Sequence, residues 1–147
     1  MTYMWLQLIH LTAAAFFIGG VFFEVMIISR AARQLPPDAR QQFGKAFGDR
    51  AKRIMPWVIL VLFATGLTMA GHYYRGVLAQ PLSSNFGTLL ALKIILAFSV
   101  LGHFLTVMIL MRRNRLTSKI SHWIHRSVLL HMFGILFLAK AMFVLHW

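Results

Sequence analysis

Histidines interrupt several apolar stretches of this sequence, where an imidazole is costly to place without a partner. His10 lies inside the run WLQLIHLTAAAFFIGG, and His72, His103 and His131 occupy comparable apolar segments further along. A neutral imidazole in a dry pocket is a good ligand for haem iron, and it also forms hydrogen bonds between helices. These four residues are therefore candidate cofactor and metal ligands, with interhelical hydrogen bonding as the alternative role.

Methionine offers a second metal chemistry. The chain has nine methionines, and Met69 precedes His72 by three residues, which places a soft sulfur and an imidazole on one helix face, as copper prefers. Simple packing of the apolar core is the other interpretation of the methionines. The chain has no cysteine, which excludes disulfides, iron–sulfur clusters and covalent c-type haem. A redox group must then be bound non-covalently.

Four apolar segments must position these residues, at about 3–29, 54–74, 88–111 and 127–147. Of the 147 residues 59% are hydrophobic and 12% charged, more apolar surface than a soluble domain of this length can bury. A helix of about 20 apolar residues crosses a bilayer, and lipid offers no partners to an open strand. We predict one all-α domain over 1–147, an integral membrane up-down four-helix bundle, with a short interfacial helix at about 38–52.

The formal charge of +12 is distributed unevenly between the connections. The first connection carries Arg30, Arg33, Arg40, Lys45, Arg50, Lys52 and Arg53, and the third carries Arg112, Arg113, Arg115, Lys119 and Arg126. This positive-inside pattern predicts that both connections are cytoplasmic and that both termini lie on the outer, periplasmic side. The basic connections should bind anionic lipid headgroups. No soluble basic and aromatic surface remains for nucleic acid, so we expect no nucleic-acid partner.

This topology sorts the histidines by depth, at about 1.5 Å per residue. His10 and His72 fall in the outer half of the spans, whereas His103 and His131 lie toward the cytoplasmic side. An outer His10–His72 pair and an inner His103–His131 pair would each suit a haem b, giving one or two haems. Lys93 is a further ionisable residue in the third span, and either a snorkelling side chain or a functional contact explains it.

Three local patterns resemble the HemJ family of small bacterial membrane proteins and the related copper-resistance CopD domain. WLQLIHLTAAAFFIGGVFF resembles the HemJ opening W-x-K-x-x-H, followed by glycine. RIMPWVILVLFATGL resembles the second HemJ span, and NFGTLLALKIILAF resembles the third span of both groups, where an aromatic–Gly pair precedes Leu-x-x-Lys. Length and four-span layout are similar to HemJ over essentially the whole chain.

The resemblance implies haem binding and oxidation of protoporphyrinogen IX, or copper passage on the CopD side. By position it implies that His10 is an axial haem ligand and that Lys93 is a functional, candidate catalytic residue. The sequence departs from the HemJ pattern in two places. His103 follows Lys93 by ten residues rather than eleven, and HRSVLLHMFGIL lacks the acidic residue and the proline usual early in span four.

Together these observations predict a multi-pass protein of the bacterial inner membrane that binds haem b. Its expected work is electron transfer or porphyrinogen oxidation, with a porphyrin, a quinone or a redox protein as partner. The alternative is a copper-handling protein that uses Met69, His72 and His10. A membrane anchor or subunit without a cofactor is the third interpretation, and oligomerisation is left open.

Overall fold

Helices make up all the regular structure in the part of the chain that the computed structural model describes, residues 2–145. Four helices dominate: α1 (Thr2–Phe23), α2 (Pro37–Tyr73), α3 (Asn85–Arg112) and α4 (Ser118–Val144). Four helical stretches containing them are long and apolar enough to cross a membrane. The predicted all-α class is therefore confirmed, and the four predicted spans are confirmed in their length and apolar composition. The predicted end of the last span, 146–147, lies outside the described residues. The chain divides into two compact units, Met1–Met69 and Ala70–Trp147, which we describe separately.

The first span extends beyond α1 through a change of helix type. Glu24–Ile28 forms a π-helical turn, and Ser29–Ala31 and the 3₁₀ turn Ala32–Gln34 complete a helical stretch of 33 residues. A π turn accommodates one additional residue in a helix, and such turns are frequent at functional sites. Here the turn begins at Glu24, an acidic residue in an otherwise apolar stretch.

One continuous helix, α2, covers both the predicted interfacial helix at 38–52 and the predicted second span at 54–74. Its 37 residues measure about 55 Å, against about 30 Å of bilayer hydrocarbon. No glycine separates the two predicted segments. The helix continues through Pro56, although an interior proline removes one backbone donor and crowds the carbonyl four residues earlier. The charged amino-terminal part includes an exposed ion pair between Asp49 and Lys52, with Nζ 3.2 Å from Oδ1.

The connection between α2 and α3 is structured by polar contacts. It contains a short helix, Arg75–Ala79, and a 3₁₀ turn, Pro81–Ser83. Ser84 caps α3, because its hydroxyl accepts a hydrogen bond from the Gly87 amide at 3.1 Å. The Thr88 hydroxyl donates to the Pro81 carbonyl at 3.0 Å.

Helices α3 and α4 form an antiparallel pair joined by a tight turn. Asn114 adopts a positive φ of 52° in that turn, a conformation that asparagine tolerates, and Thr117 caps α4 by accepting from the Ile120 amide. The buried apolar side chains of the two helices are Leu89, Leu90, Val100, Ile124, Val128, Met132 and Ala141. Gly134 lies against Leu96, where an added Cβ would be 3.1 Å from Cδ1. This pairing fixes the register that positions the histidines of the second unit.

Candidate functional sites

His10, on α1, contacts α2 through one ring nitrogen. Its Nδ1 lies 3.1 Å from the Leu62 carbonyl oxygen and 3.1 Å from the Thr65 hydroxyl. Thr65 is buried, with 8% of its surface exposed, and His10 is half-buried. The contact therefore fixes the imidazole in a partly enclosed position between two helices of the first unit.

These hydrogen bonds determine which nitrogen of His10 carries the proton. The Leu62 carbonyl can only accept, so Nδ1 must donate. The Thr65 hydroxyl donates its own hydrogen to the Val61 carbonyl at 2.7 Å, which leaves its oxygen to accept from Nδ1. Nε2 is then the nitrogen with the lone pair. A histidine that donates Nδ1–H to a carbonyl and presents Nε2 is the usual arrangement of a metal-ligating imidazole.

Gly66 provides the space that His10 occupies against α2. A Cβ added at Gly66 would lie 3.0 Å from Cε1 of His10, closer than ordinary van der Waals contact. A larger residue at this position would push the ring away from Leu62 and Thr65. Because Gly66 has no side chain, the His10 ring can approach α2 closely enough to form both hydrogen bonds.

A second histidine site joins α3 and α4 in the other unit, and the hydrogen bonds between the two helices are reciprocal. His103 Nδ1 donates to the Ser99 carbonyl at 2.7 Å, and His131 Nδ1 donates to the Ser127 carbonyl at 2.7 Å. Each serine hydroxyl then reaches across to the opposite helix. Ser127 Oγ lies 3.0 Å from Nε2 of His103, and Ser99 Oγ lies 3.1 Å from Nε2 of His131.

The proton positions of this pair also follow from its partners. Both Nδ1 atoms face carbonyl oxygens and must donate, so both neutral rings carry the lone pair on Nε2. Each Nε2 accepts a serine hydroxyl from the other helix. The ring centroids of His103 and His131 are 5.2 Å apart, and the planes are tilted by 58°. We name Ser99, His103, Ser127 and His131 the Ser–His cluster.

An open groove of about 550 Å³ lies beside the Ser–His cluster. Its lining residues are Ser99, Gly102, His103, Thr106, Ile120, Trp123 and Ile124. The Trp123 ring stacks on His103 with a centroid distance of 6.4 Å and an angle of 29°, and 68% of Trp123 is exposed. The groove therefore gives access to one side of the cluster.

The remaining predicted site residues have simpler surroundings. His72 is exposed near the end of α2, and its ring makes an edge contact with Tyr73 at 5.0 Å. Met69 and Lys93 are half-buried, and within residues 2–145 no hydrogen bond or ion pair joins the Lys93 side chain to another residue. His10 and His72 belong to different units, so their predicted pairing remains a prediction. Among the described residues, no group of three or more His, Asp or Glu side chains could hold a metal ion.

Sequence reasoning missed the hydrogen-bonding partners of the histidines. Thr65 and Gly66 were not identified as the contacts of His10, and no short motif indicates them. The serines had a detectable signal, because α3 contains SVLGH at 99–103 and α4 contains SVLLH at 127–131. The same Ser-x-x-x-His spacing on two paired helices indicates a matched site.

Comparison of the chain with family models, with curated proteins and with solved structures found no match in any of the three.

Proposed function

We propose that this chain is a membrane redox protein that binds haem b, with Nε2 of His10 as an axial ligand. The supporting observation is the pair of hydrogen bonds that hold Nδ1–H of His10 on Leu62 and Thr65. They select the tautomer in which Nε2 has the lone pair that iron requires. The four apolar helical stretches support the membrane setting.

The residues around His10 suit an imidazole ligand. The Leu62 carbonyl and the Thr65 oxygen accept hydrogen bonds from Nδ1–H. These bonds make Nε2 a stronger electron-pair donor to a metal and prevent the ring from rotating. Gly66 leaves room for the ring beside α2, since an added Cβ would lie 3.0 Å from its Cε1. A bound haem would supply one-electron chemistry at its iron, while this chain orients the ligand and excludes water around it.

We assign axial ligation to His10 rather than to the Ser–His cluster. Both Nε2 atoms of the cluster accept serine hydroxyls, and ligation would require those hydrogen bonds to break. The hydrogen bonds of His10 to Leu62 and Thr65 both involve Nδ1, so neither of them has to break for Nε2 to ligate iron. A single histidine ligand leaves an iron position for a second ligand or a substrate, which accommodates either electron transfer or porphyrinogen oxidation, the reaction in which Lys93 is the candidate catalytic residue.

The inner-membrane location and the outward termini are part of the same proposal. Their support is the concentration of arginine and lysine in the first and third connections. The basic amino-terminal part of α2 also carries Phe43 and Phe47, whose rings stack at 6.2 Å on a largely exposed surface. That combination suits binding to an anionic membrane surface.

Absorption spectroscopy of the detergent-purified chain tests the haem proposal. Protein made with sufficient haem should show a Soret band and sharp reduced α and β bands, and pyridine haemochrome quantitation gives the stoichiometry. His10→Ala should lose most of this haem, whereas the matched control His122→Ala, an exposed histidine on α4, should keep it. Haem-free wild-type protein would contradict the proposal. Stoichiometric Cu(I) binding lost in Met69→Ala would then support the copper alternative.

A further inference from the structure

We propose that the groove between α3 and α4 binds one anionic phospholipid, with its phosphate at Arg113 and Lys119 and an acyl chain beside Gly102 and Trp123. The inference rests on the membrane setting proposed above, and it does not depend on haem at His10. It assigns a defined site to the affinity for anionic headgroups that the basic connections predict. The apolar wall of the groove, the cations at one end of it and the lack of acidic residues in this unit support it.

The groove has room for a flexible hydrocarbon chain. On α3 its wall extends from Ser99 to Thr106, about 10 Å along the helix axis. Gly102 lies between these two residues, and a Cβ added there would meet nothing within 4 Å. The volume of about 550 Å³ lies within the roughly 300–1,000 Å³ of small-molecule sites. A ligand can therefore enter without any change in the backbone.

The polar side chains of the wall are already hydrogen-bonded within the helix pair. The Thr106 hydroxyl donates to the Gly102 carbonyl at 2.8 Å, and Ser99 Oγ lies 3.1 Å from Nε2 of His131. Both ring nitrogens of His103 have partners in the Ser–His cluster. A polar ring deep in the groove would find these groups engaged, whereas a hydrocarbon chain needs no hydrogen bond. The wall therefore favours an acyl chain over a quinone or a porphyrin.

Trp123 lies where the headgroup region of a bound lipid would begin. It is in the second turn of α4, and 68% of its surface is exposed. Tryptophan is enriched at membrane–water interfaces, because its ring is apolar and its N–H donates a hydrogen bond. Within residues 2–145 the indole N–H of Trp123 has no hydrogen-bonding partner. It is thus available to an ester or phosphate oxygen of the lipid.

Two exposed cations continue the walls of the groove toward the α3–α4 turn. Arg113 follows Thr106 by seven residues, about two helical turns, and Lys119 precedes Trp123 by four residues. Residues with these spacings lie on one side of a helix, so each cation lies on the groove side of its own wall. A phosphate attached to a chain in the groove would lie near both of them.

No acidic residue of this unit competes for the two cations. The acidic residues of the chain all belong to the first unit: Glu24, Asp38 and Asp49. Within the described residues neither Arg113 nor Lys119 forms an ion pair. Arg112 and Arg115 add positive charge at the same turn. A phosphate would therefore bind these cations and also reduce the repulsion among them.

Fluorescence quenching by brominated lipids in nanodiscs tests this proposal. With Trp5→Phe, Trp57→Phe and Trp147→Phe combined, Trp123 is the one tryptophan left of four. Brominated phosphatidylglycerol mixed into phosphatidylcholine should quench Trp123 in a saturable manner. Half-maximal quenching should occur at a mole fraction about fivefold or more below that of brominated phosphatidylcholine. Unbrominated lipid of the same headgroup corrects for any quenching by haem.

A matched reporter measures the effect of the bulk bilayer. A variant that keeps Trp5 as its one tryptophan reports from the start of α1, where 55% of Trp5 is exposed and no basic residue precedes Arg30. Its quenching should be the same with the two brominated lipids. A preference for phosphatidylglycerol at Trp123 but not at Trp5 therefore indicates a site rather than a general enrichment of anionic lipid.

Substitutions at the two parts of the site test the headgroup and the chain separately. Arg113→Gln combined with Lys119→Gln should make the two lipids quench Trp123 equally, whereas Lys140→Gln, an exposed lysine near the other end of α4, should keep the preference.

Gly102→Leu should fill the groove and raise the mole fraction for half-maximal quenching about threefold or more. Gly71→Leu on α2, where an added Cβ also meets nothing within 4 Å, is its control.

Four results would overturn the proposal. Equal quenching by the two lipids with both cations present would show that there is no headgroup site. A preference that persists without Arg113 and Lys119 would show attraction by the overall charge of +12. Quenching unchanged in Gly102→Leu would place the chain outside the groove. Displacement of the lipid by millimolar inorganic phosphate would show a simple phosphate site.

Two further measurements separate this site from other occupants and from the haem proposal. A dimer in native mass spectrometry that dissociates in Gly102→Leu would assign the groove to a second copy of the chain and contradict lipid binding. His10→Ala should keep the lipid preference while it loses haem. Loss of the preference in His10→Ala would contradict the independence of the two sites, and retention of haem in that variant would contradict only the function proposed above.

Discussion

Two hydrogen bonds of Nδ1 fix the tautomer of His10. The Leu62 carbonyl fixes the proton on Nδ1, and Thr65 adds a second acceptor at the same 3.1 Å distance. Such partners of a ligating histidine typically change metal affinity or activity by about 10–100-fold. Haem binding should therefore be sensitive to the substitution of a single partner of His10.

Thr65→Val should weaken haem retention by about tenfold and raise the reduction potential of the bound haem. Valine removes the hydroxyl oxygen while keeping the shape of the side chain, so Nδ1–H loses one acceptor and keeps the Leu62 carbonyl. Less electron density then reaches Nε2, which disfavours the oxidised iron. Spectroelectrochemical titration measures the potential, and Thr68→Val, a similar change at an exposed threonine of α2, is the control. A potential equal to that of wild type would show that Thr65 does not act on the iron.

Gly66→Ala should lower the stability of the first unit by about 1–3 kcal/mol, the range for an overpacked contact. The new Cβ would lie 3.0 Å from His10 Cε1, so the ring must shift away from α2. Gly71→Ala on the same helix meets nothing within 4 Å, and it should leave stability unchanged or raise it slightly. Thermal unfolding in detergent, followed by circular dichroism, compares the two. Equal stabilities would mean that His10 does not lie against Gly66.

Helix ends and helix pairing govern the second unit. The α3 cap at Ser84 brings the Pro81 carbonyl close to Gly87, and the rings of Tyr74 and Phe143 pack on Phe86 at 5.4 and 5.6 Å. The aromatic–Gly pair of the sequence NFGTLL thus has a structural explanation. Phe86 anchors the end of α3 against neighbouring aromatic rings, and Gly87 admits the backbone of the preceding turn.

Gly87→Ala should destabilise the start of α3 by about 2 kcal/mol or more, because the added Cβ would be 2.7 Å from the Pro81 carbonyl oxygen. Backbone cannot move aside as a flexible side chain can, so the turn itself must open. Hydrogen exchange of the amides at 85–90 should accelerate in this variant. Gly76→Ala in the same connection meets nothing within 4 Å and serves as the control. Unchanged exchange in Gly87→Ala would show that the turn does not pack as described.

At the scale of the whole molecule, the charge distribution determines the orientation that we propose. The basic first and third connections should remain in the cytoplasm, which places both termini outside. Alkaline phosphatase fused after the last residue should therefore be active in bacterial cells, whereas a fusion within the third connection should be inactive. The reverse pattern would contradict the proposed topology.

The four spans could be predicted because each is long, apolar and free of strong helix stops. The continuity of α2 could not, since the charge change near Arg53 and the proline at position 56 both resemble a boundary, whereas the helix runs through them. Depth alone grouped His103 with His131, and the structure places their rings 5.2 Å apart. The serine bonds between them depend on helix rotation, which periodicity does not fix. The prediction that His103 and His131 ligate haem is untested, and the serine hydrogen bonds on both Nε2 atoms are the reason that we propose His10 instead.

Rescue of a cavity variant by imidazole is the sharpest test of whether His10 ligates iron through Nε2. His10→Gly removes the ligand and leaves a space in which free imidazole fits. This variant, reconstituted with haem, should lack the absorption spectrum of the wild type and regain it when millimolar imidazole is added. A wild-type spectrum in His10→Gly without imidazole would contradict the claim, because iron would then be held by another residue.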